Sequence, residues 1–360
     1  MQNSKVQHKH FTELDILRSI ATIGVFLHHI LWTCGMYSYV SNAFGDCFVA
    51  FFFVLSGFLT TKSQHENHCD DNITIKSAAQ FITKKIIKLY PVYLICIILV
   101  IALNDGIKYT PIKVILLNAL MLQSWIPHPA IYFSVNSVSW FISSLMFCYI
   151  MFLPVYKLMT NYPRTFWSIA GILYIAYFIV IHLIPDKLAL PIIYICPIMQ
   201  FFAFMFGMIL WRIFTKTICH KSFNFGIAKL ICWLSLIASL ALCCYVPARY
   251  LFAPYWWPFW GAIILVTATA AIQKQPTDTF NLVTKPVFIF SKLCYPFFML
   301  HPIVISTYLK LCHNSGFGSP ALLTITATFI ATTAFSAAIN HIINAFRTIF
   351  AKQISLIRKQ

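Results

Sequence analysis

The chain has few charged residues, and acidic ones are the scarcest. Only 10% of its 360 residues are charged, with 9 Asp or Glu against 26 Lys or Arg. A soluble domain has about 25% charged and about 45–50% apolar residues, whereas 60% of this chain is hydrophobic. The composition therefore excludes an ordinary soluble domain and indicates a polytopic membrane protein.

Two further features are missing. No polar interval is long enough for a second folded domain, since the longest, residues 62–85, has the length of a loop. We therefore expect one integral-membrane domain over residues 1–360. The 12 cysteines form no CxxC pair, which argues against a zinc site or a disulfide framework. No metal is predicted.

Ten apolar segments have the length needed to cross the hydrocarbon core as helices. They cover residues 14–36, 45–63, 86–104, 138–157, 166–185, 192–211, 230–247, 256–273, 287–308 and 320–345. A shorter apolar segment, 112–123, is typical of a re-entrant or interfacial helix. The predicted fold class is thus all-α, a polytopic membrane helix bundle with about ten transmembrane helices plus one short re-entrant or interfacial helix.

The distribution of Lys and Arg supports this number of crossings. The formal net charge of +17 would suggest nucleic acid in a soluble protein, but in a membrane protein it first reports topology. With a cytoplasmic amino terminus, 21 of the 26 basic residues fall inside and the remaining five outside: Lys108, Lys113, Lys187, Arg249 and Lys310. If segment 112–123 crossed, only 11 would fall inside. Both termini are therefore predicted to be cytoplasmic, and no nucleic-acid partner is expected.

The first span carries ionisable side chains that hydrocarbon disfavours. Arg18 and His29 are eleven residues apart, or three helical turns and about 16 Å, so both point from one face. Asp15, one turn before Arg18, can pair with it. Intramembrane ionisable residues normally serve a function; snorkelling by Arg18 and helix packing by the histidines are the alternative. His28, about 100° around the helix from His29, is expected to be a packing partner.

A second intramembrane histidine, His301, lies near the end of the chain between Pro296 and Pro302. Both prolines free backbone groups, which predicts a kink. His29 and His301 each lie about 14 to 15 residues along an outward-running helix, so their depths are similar. We therefore expect the two imidazoles to share one cavity.

The second span contains Ser56 and Gly57, a pair that loosens a helix and permits close backbone approach. Either a ligand or a neighbouring helix can use that approach. Asp46, at the outer edge of this span, has the character of a solvated loop residue. Trp140 opens a later span at its outer end, which is typical of an interfacial anchor.

Three lysines, Lys84, Lys85 and Lys88, stand at the cytoplasmic mouth of the third span. They can hold the phosphates of a nucleotide-like donor, although attraction to anionic lipid headgroups is the simpler explanation from these residues alone. The loop ahead of them also contains residues that resemble a metal-ligand cluster, but a solvated loop is favoured there. These are His65, His68, Cys69, Asp70 and Asp71.

Together these motifs resemble those of the family-three membrane acyltransferases, which include bacterial O-acetyltransferases of surface polysaccharides. The matching segments are residues 14–18 followed by His29, 52–58, 81–91, 139–140 and 294–302. Each segment alone is weak, but the ordered set spans most of the chain. Two departures stand out. Lysines replace the family's arginines, which weakens a bidentate grip on phosphate, and Ser143 and Ser144 stand where many members carry a glutamate.

The resemblance implies transfer of an acyl group, most often acetyl, from cytoplasmic acyl-CoA to a hydroxyl of a surface glycan or glycolipid. His29 is then the expected general base or nucleophile, while His301 binds the acceptor or relays a proton. Arg18, which joins the two histidines among the catalytic candidates, is expected to bind donor phosphate or to hold the cavity together. The three lysines are expected to gather the anionic donor at the entrance. Structural support is expected from Asp15, Ser56, Gly57 and Trp140. The expected partners are acyl-CoA, a glycan or lipid-linked sugar acceptor, and the lipids of the inner membrane.

Two other functions are compatible with the same features. A secondary transporter also has about ten spans, intramembrane ionisable groups and broken helices. The scarcity of intramembrane carboxylates and the lack of an evident inverted repeat count against it. An inactive relative of the acyltransferases is the other alternative, which the lysine replacements keep open.

Overall fold

A computed structural model describes residues 11–36, 39–67, 73–103, 110–218, 225–245, 254–273, 281–315 and 320–357. Within these ranges the secondary structure is helical and includes no β-strand, which confirms the predicted all-α class. In chain order the α-helices are α1 (Thr12–Thr33), α2 (Tyr39–Asn67), α3 (Ile75–Leu103), α4 (Ile112–Ala119), α5 (Pro129–Tyr132), α6 (Trp140–Asn161), α7 (Pro163–Leu183), α8 (Asp186–Ala189), α9 (Pro197–Ile213), α10 (Phe225–Tyr245), α11 (Trp257–Gln273), α12 (Asn281–Ser291), α13 (Cys294–Asn314) and α14 (Ala321–Ile357). Short 3-10 or π-helical segments are Gln123–Trp125, Leu190–Ile195, Phe214–Ile218 and Pro254–Trp256.

The predicted spans fall on these helices. By length and composition, seven helices in the described part of the chain can cross a membrane. Two shorter apolar stretches accompany them, Leu230–Ser239 and Trp257–Ile272. The architecture is therefore a polytopic membrane helix bundle.

One predicted span, residues 287–308, is divided in the structure. It falls on the end of α12 and most of α13, which are separated by a turn at Lys292 and Leu293. Pro296 lies in the first turn of α13, where backbone N–H groups have no intrahelical partner, so proline removes no hydrogen bond there. It therefore belongs to the start of a helix and does not kink one, whereas Pro302 lies in the helix interior.

The third helix begins earlier than the sequence predicts. The Thr74 N–H donates to Ser77 Oγ at 2.9 Å, and the Ser77 N–H donates to Thr74 Oγ1 at 3.2 Å. These reciprocal bonds are a capping arrangement that starts a helix. The three lysines consequently lie about two to four turns inside α3 and not at its beginning.

The second helix and α9 are in backbone contact. A Cβ atom added at Gly57 would lie 1.9 Å from the Phe204 carbonyl oxygen, and one added at Gly207 would lie 2.0 Å from the Val54 carbonyl oxygen. No side chain fits at either position. Of the two partners considered for Gly57, the structure shows the neighbouring helix, in a small-residue crossing typical of membrane bundles.

The short helix predicted at 112–123 is α4. Its eight residues rise about 12 Å, far less than the roughly 30 Å of a hydrocarbon core. Buried polar groups hold it: the Tyr93 hydroxyl donates to the Asn118 carbonyl at 2.7 Å. Gln123 Nε2 in turn donates to Tyr93 Oη at 2.9 Å and to Ser139 Oγ at 3.1 Å. The segment is therefore a short element packed on the bundle.

The two serines at the position of the family's glutamate also bond to backbone. Ser143 Oγ donates to the Met121 carbonyl at 2.5 Å, and Ser144 Oγ donates to the Ile195 carbonyl at 2.9 Å. Both serines are buried. They fix the segments before α5 and α9 against α6.

Candidate functional site

A cavity of about 530 Å³ lies beside the C-terminal half of α1. Its walls come from α1, α2, α6, α13 and the segments that precede α6 and α9. We name it the His29 cavity. Its titratable and hydroxyl-bearing lining residues are His28, His29, Thr33, Asp46, Ser137, Tyr194 and Ser306. The size is that of a typical small-molecule site, in which a few polar groups fix a ligand among apolar walls.

The two predicted histidines meet beside this cavity. The ring centroids of His29 and His301 are 5.0 Å apart, with the rings tilted by 47°. His29 lines the cavity and is half-buried. His301 is only 1% exposed and touches His29 from inside the bundle. The structure therefore brings the pair together, with His29 as the member that a ligand can reach.

Aromatic rings surround His301. The ring centroids of Phe26, Phe297 and Phe298 lie 6.2, 6.4 and 5.9 Å from that of His301. Neither ring nitrogen makes a well-formed hydrogen bond within the described part of the chain, although the backbones of Phe297 and Phe298 interact with the ring. Burying a polar group in this way costs free energy. A residue that serves only for packing would be better replaced by phenylalanine here.

His28 lies on the other side of His29, with ring centroids 4.9 Å apart. It packs against His29, as expected, and its side chain also lines the cavity. A Cβ atom added at Gly45 would lie 2.6 Å from His28 Cγ. Glycine at position 45 therefore leaves the space that this imidazole occupies.

Asp46 lies in the cavity wall, which contradicts the expectation of a solvated loop residue. Because α2 begins at Tyr39, Asp46 is inside a helix, and it is only 5% exposed. The Tyr194 hydroxyl donates a hydrogen bond to its carboxyl group. The centroid of the Tyr194 ring is 4.8 Å from that of Trp140, which also lines the cavity. Trp140 is thus a buried wall of the site and not an interfacial anchor.

The segment before α6 connects this wall to α13. Asn136 Nδ2 donates to the Met299 carbonyl at 2.8 Å, two residues before His301. The neighbouring Val135 has a φ of 58°, a left-handed conformation that β-branched residues rarely adopt. Backbone strain of this kind persists only where the surroundings hold it, often near functional sites. Asn136 therefore fixes α13, and with it His301, against the cavity wall.

A second group of candidate residues lies toward the N-terminal end of α1. Arg18 Nη1 is 2.9 Å from Asp15 Oδ1, which is the ion pair expected from their spacing. The positive charges of Arg18 and Arg347 both act on Lys88, and Lys88 acts on Lys85. We name Arg18, Lys85, Lys88 and Arg347 the cationic cluster. Three helices, α1, α3 and α14, supply it.

Arg347 was not singled out by any sequence motif. Its Nη2 donates to the carbonyls of Ile87 at 3.0 Å and Lys88 at 3.3 Å. Pro91 has no N–H and cannot donate to the Ile87 carbonyl one turn earlier. Arg347 supplies that missing donor. It thereby ties α14 to α3 at the position where proline interrupts the helix.

Tyr149 adds an aromatic wall to the cationic cluster. Lys85 Nζ lies 4.3 Å from the centroid of its ring, which is a cation–π contact. The Tyr149 hydroxyl is hydrogen-bonded with Ser56 and lies within range of the Arg18 charge. Ser56 therefore supports the cluster through Tyr149. Lys84 is exposed on α3.

The two groups lie at different heights in the bundle. Three turns of α1 separate Arg18 from His29, and the described lining of the His29 cavity includes neither the cationic cluster nor Lys84. Ser19 and Thr22 are buried on the stretch of α1 between them. The predicted site residues thus form two regions of one bundle.

The potential metal ligands of the loop after α2 do not form a described site. His68, Cys69, Asp70 and Asp71 lie outside the described residues. The ring centroid of His65 is 6.1 Å from that of Trp211. Within the ranges that the structure describes, no group of three or more His, Cys, Asp or Glu side chains is arranged to hold a metal ion.

Fold and site together define a polytopic membrane protein with a histidine pair at an internal cavity and a cationic cluster three turns away. A family model described as an acyltransferase domain matches residues 11–341. The chain belongs to acyltransferase family 3, as its motifs indicated. This membership supports transferase activity.

One curated relative is named acyltransferase MdmB, from Streptomyces mycarofaciens. It is 26% identical over 171 residues, which cover 43% of this chain and 42% of that protein. The chain therefore spans less than half the length of this relative. No solved structure matches the chain significantly.

Proposed function

We propose that the protein is a membrane O-acyltransferase that moves an acyl group, most simply acetyl, from cytoplasmic acyl-CoA to a hydroxyl of a glycan or glycolipid. Membership of the acyltransferase family supports the reaction class. The contact between His29 and His301 beside a cavity carries the proposal. Transfer to an alcohol needs a group that accepts the hydroxyl proton, and imidazole is the side chain best suited to that role near neutral pH.

His29 is the group that reacts with the acceptor. Its imidazole removes the proton of the acceptor hydroxyl while the hydroxyl oxygen attacks the thioester carbonyl. The carbon–sulfur bond then breaks, and the coenzyme A thiolate leaves and receives the proton. A route through an acyl-imidazole on His29 makes and breaks the same bonds in two steps. His301, whose ring contacts His29, holds the imidazole in place or relays its proton.

The cationic cluster is the proposed binding region for the phosphates of acyl-CoA. Cations from three helices attract a polyanion, and the Arg18 side chain is 31% exposed, so a ligand can reach it. Lysines act here as point charges, with less directional contacts than arginines. The pantetheine arm of coenzyme A is a flexible chain, and it can carry the thioester along the roughly 16 Å of α1 toward His29.

In the predicted topology the two substrates approach from opposite sides of the membrane. By the positive-inside count, the cationic cluster and both termini face the cytoplasm. The His29 cavity then lies in the outer half of the inner membrane. An acceptor that reaches this half from outside would meet a donor that enters from the cytosol.

Purified protein in lipid nanodiscs, supplied with radiolabelled acetyl-CoA and a cell-envelope extract as acceptor, tests this function. The wild-type protein should release coenzyme A and label the acceptor. His29→Ala should lower the rate at least about a hundredfold. His182→Ala, which changes an exposed histidine on α7, should keep the wild-type rate.

The outcomes separate the alternatives. Normal elution and thermal stability of the His29 variant would show that its fold is intact. A wild-type rate in that variant would remove His29 from the chemistry. Solute uptake without coenzyme A release would favour a transporter, and failure of the wild-type protein to react at all would favour an inactive relative.

A further inference from the structure

The proposed reaction at His29 does not involve Asp46, which is a polar part of the cavity wall. Asp46 lines the cavity together with His28 and His29 and is 5% exposed. Its Oδ2 has no hydrogen-bond partner in the described part of the chain. The Tyr194 hydroxyl is bonded to the same carboxyl group. A buried oxygen without a partner costs free energy, and a ligand that donates to this carboxyl group would recover it.

Asp46 and His29 are linked through Gly45 and His28. Gly45, the neighbour of Asp46, lies directly against the His28 ring, and His28 contacts His29. Both Asp46 and His29 line the same cavity. The carboxyl torsion about the Cβ–Cγ bond is soft, so either oxygen can turn toward the cavity. A ligand with its reacting hydroxyl at His29 can therefore present a second hydroxyl to Asp46.

The remaining walls indicate what kind of ligand carries those hydroxyls. Trp140 and Tyr194 contribute adjoining aromatic rings, which suit the apolar C–H face of a ring. Lys and Arg are absent from the described lining. A phosphate or carboxylate on the ligand would thus be buried without a cation, which is costly.

We infer that the His29 cavity binds the acceptor as a neutral sugar ring, with the hydroxyl next to the reacting one donating its hydrogen bond to Asp46. The inference rests on the proposed acyl transfer and adds the acceptor class and a specificity residue to it. Tyr194 is the positioning residue, because it acts on the acceptor through the Asp46 carboxyl group.

A panel of octyl glycosides tests the inference. The panel contains octyl glucoside, galactoside, mannoside and N-acetylglucosaminide, the monodeoxy analogues of the best acceptor, and the matching octyl uronide. Each is assayed for acetyl transfer from acetyl-CoA by mass spectrometry. The variants are Asp46→Ala, Asp46→Asn and Tyr194→Phe. Asp186→Ala, which removes an exposed carboxylate at the start of α8, is the matched control.

One deoxy analogue lacks the hydroxyl next to the reacting one. The wild-type protein should prefer the best neutral glycoside over this analogue by at least a hundredfold in kcat/KM, because a site built around a hydroxyl rejects the analogue without it. It should use the uronide at least tenfold less well than the neutral glycoside. Asp46→Ala should reduce the hundredfold preference to less than about threefold, and Tyr194→Phe should reduce it about tenfold. Asp186→Ala should behave like the wild type.

The inference is overturned if folded Asp46→Ala keeps the full preference, or if the uronide is the better acceptor. If the alanine variant does not fold, the two near-isosteric variants decide: an unchanged preference in both overturns the inference. Transfer to a glycoside without any Asp46 effect leaves the proposed function standing. Failure of the wild-type protein to transfer acetyl to any hydroxyl overturns both.

Discussion

The imidazole rings of His29 and His301 lie 5.0 Å apart at centroid, although the residues come from opposite ends of the chain. α1 and α13 must therefore pack side by side for the pair to form, and Phe26 of α1 contributes to this packing against both Phe297 and His301. The pair consequently depends on the packing of α1 against α13. The contact predicts that His301 affects the chemical step through His29.

Replacing His301 by glutamine should lower kcat about tenfold to a hundredfold, because His29 loses the imidazole that holds it. The KM for acetyl-CoA should stay unchanged, since the cationic cluster is not altered. Steady-state kinetics over both substrates measures this split. His313→Gln, an exposed histidine on the same helix, is the control. A wild-type kcat in His301→Gln would leave His301 as a packing residue only.

The glycine crossing between α2 and α9 should be intolerant of any side chain. Gly57→Ala and Gly207→Ala each place a Cβ atom about 2 Å from a carbonyl oxygen, so the backbones must separate at a cost of about 1–3 kcal/mol or more. Both variants should melt at clearly lower temperature in detergent. Gly171→Ala, where nothing lies within 4 Å, should melt at the same or a higher temperature. Equal melting of all three would contradict the backbone contact.

Lys88 should contribute to donor binding and not to the chemical step. Lys88→Gln should raise the KM for acetyl-CoA about tenfold, because one charge-assisted contact to phosphate is lost, while kcat is retained. Lys157→Gln, another exposed lysine, should leave the KM unchanged. Lys88→Arg should lower the KM, since guanidinium binds phosphate in a bidentate way. An unchanged KM in Lys88→Gln would favour lipid headgroups as the natural partner of this lysine.

Arg347 and Pro91 should be thermodynamically coupled. Arg347→Ala should destabilise the protein by about 1 kcal/mol, because the Ile87 carbonyl loses the hydrogen bond from the Arg347 guanidinium. In a Pro91→Ala background the restored N–H bonds that carbonyl, so the same change should cost less than half as much. Thermal stability of the four proteins gives the coupling energy. Additive effects, as expected for the exposed control Arg164→Ala, would show that the two sites are independent.

The short helix α4 determines the orientation of everything that follows it. If it does not cross, the segment around Lys221 faces the cytoplasm and the segment around Arg249 faces outward. Fusions truncated after these residues should give green fluorescence after Lys221 and alkaline phosphatase activity after Arg249. The reverse pattern would mean that segment 112–123 crosses the membrane.

Much of the fold follows from the lengths of the apolar segments. Helical backbone is the way a single segment satisfies its polar groups in hydrocarbon, so ten apolar stretches predict ten helical regions with little ambiguity. The division of 287–308 was missed because Pro296 has two uses, as a kink inside a helix or as an early residue of a new one. The length of the apolar segment alone does not distinguish these two roles of Pro296.

The pairing of the two site histidines could be predicted from their depth along their helices. His29 and His301 were expected to meet because both lie equally far along helices of the same direction, and the structure shows their contact. Asp46 was misjudged because it stands at the edge of the apolar segment 45–63, whereas α2 already begins at Tyr39 and places Asp46 in the helix interior. Gly45 was a signal that went unused, since a glycine beside a buried helix position often makes room for a neighbour.

Arg347 and Tyr149 depend on contacts between distant helices. Nothing in the local sequence indicates that a guanidinium near the C-terminus meets a carbonyl freed by Pro91. Tyr149 is one of many aromatic residues in the spans, and only its contact with Lys85 distinguishes it. Such partners become visible when the packing of the bundle is known.

The glycine crossing also bears on how the protein can move. Side chains can slide past one another by changing rotamer, but α2 and α9 touch through main-chain atoms at Gly57 and Gly207, so we expect this pair to behave as a single rigid body. Asp46, in the wall of the His29 cavity, and Ser56, beside the cationic cluster, both lie on α2. The rigid pair of helices should therefore keep these two regions at a constant separation.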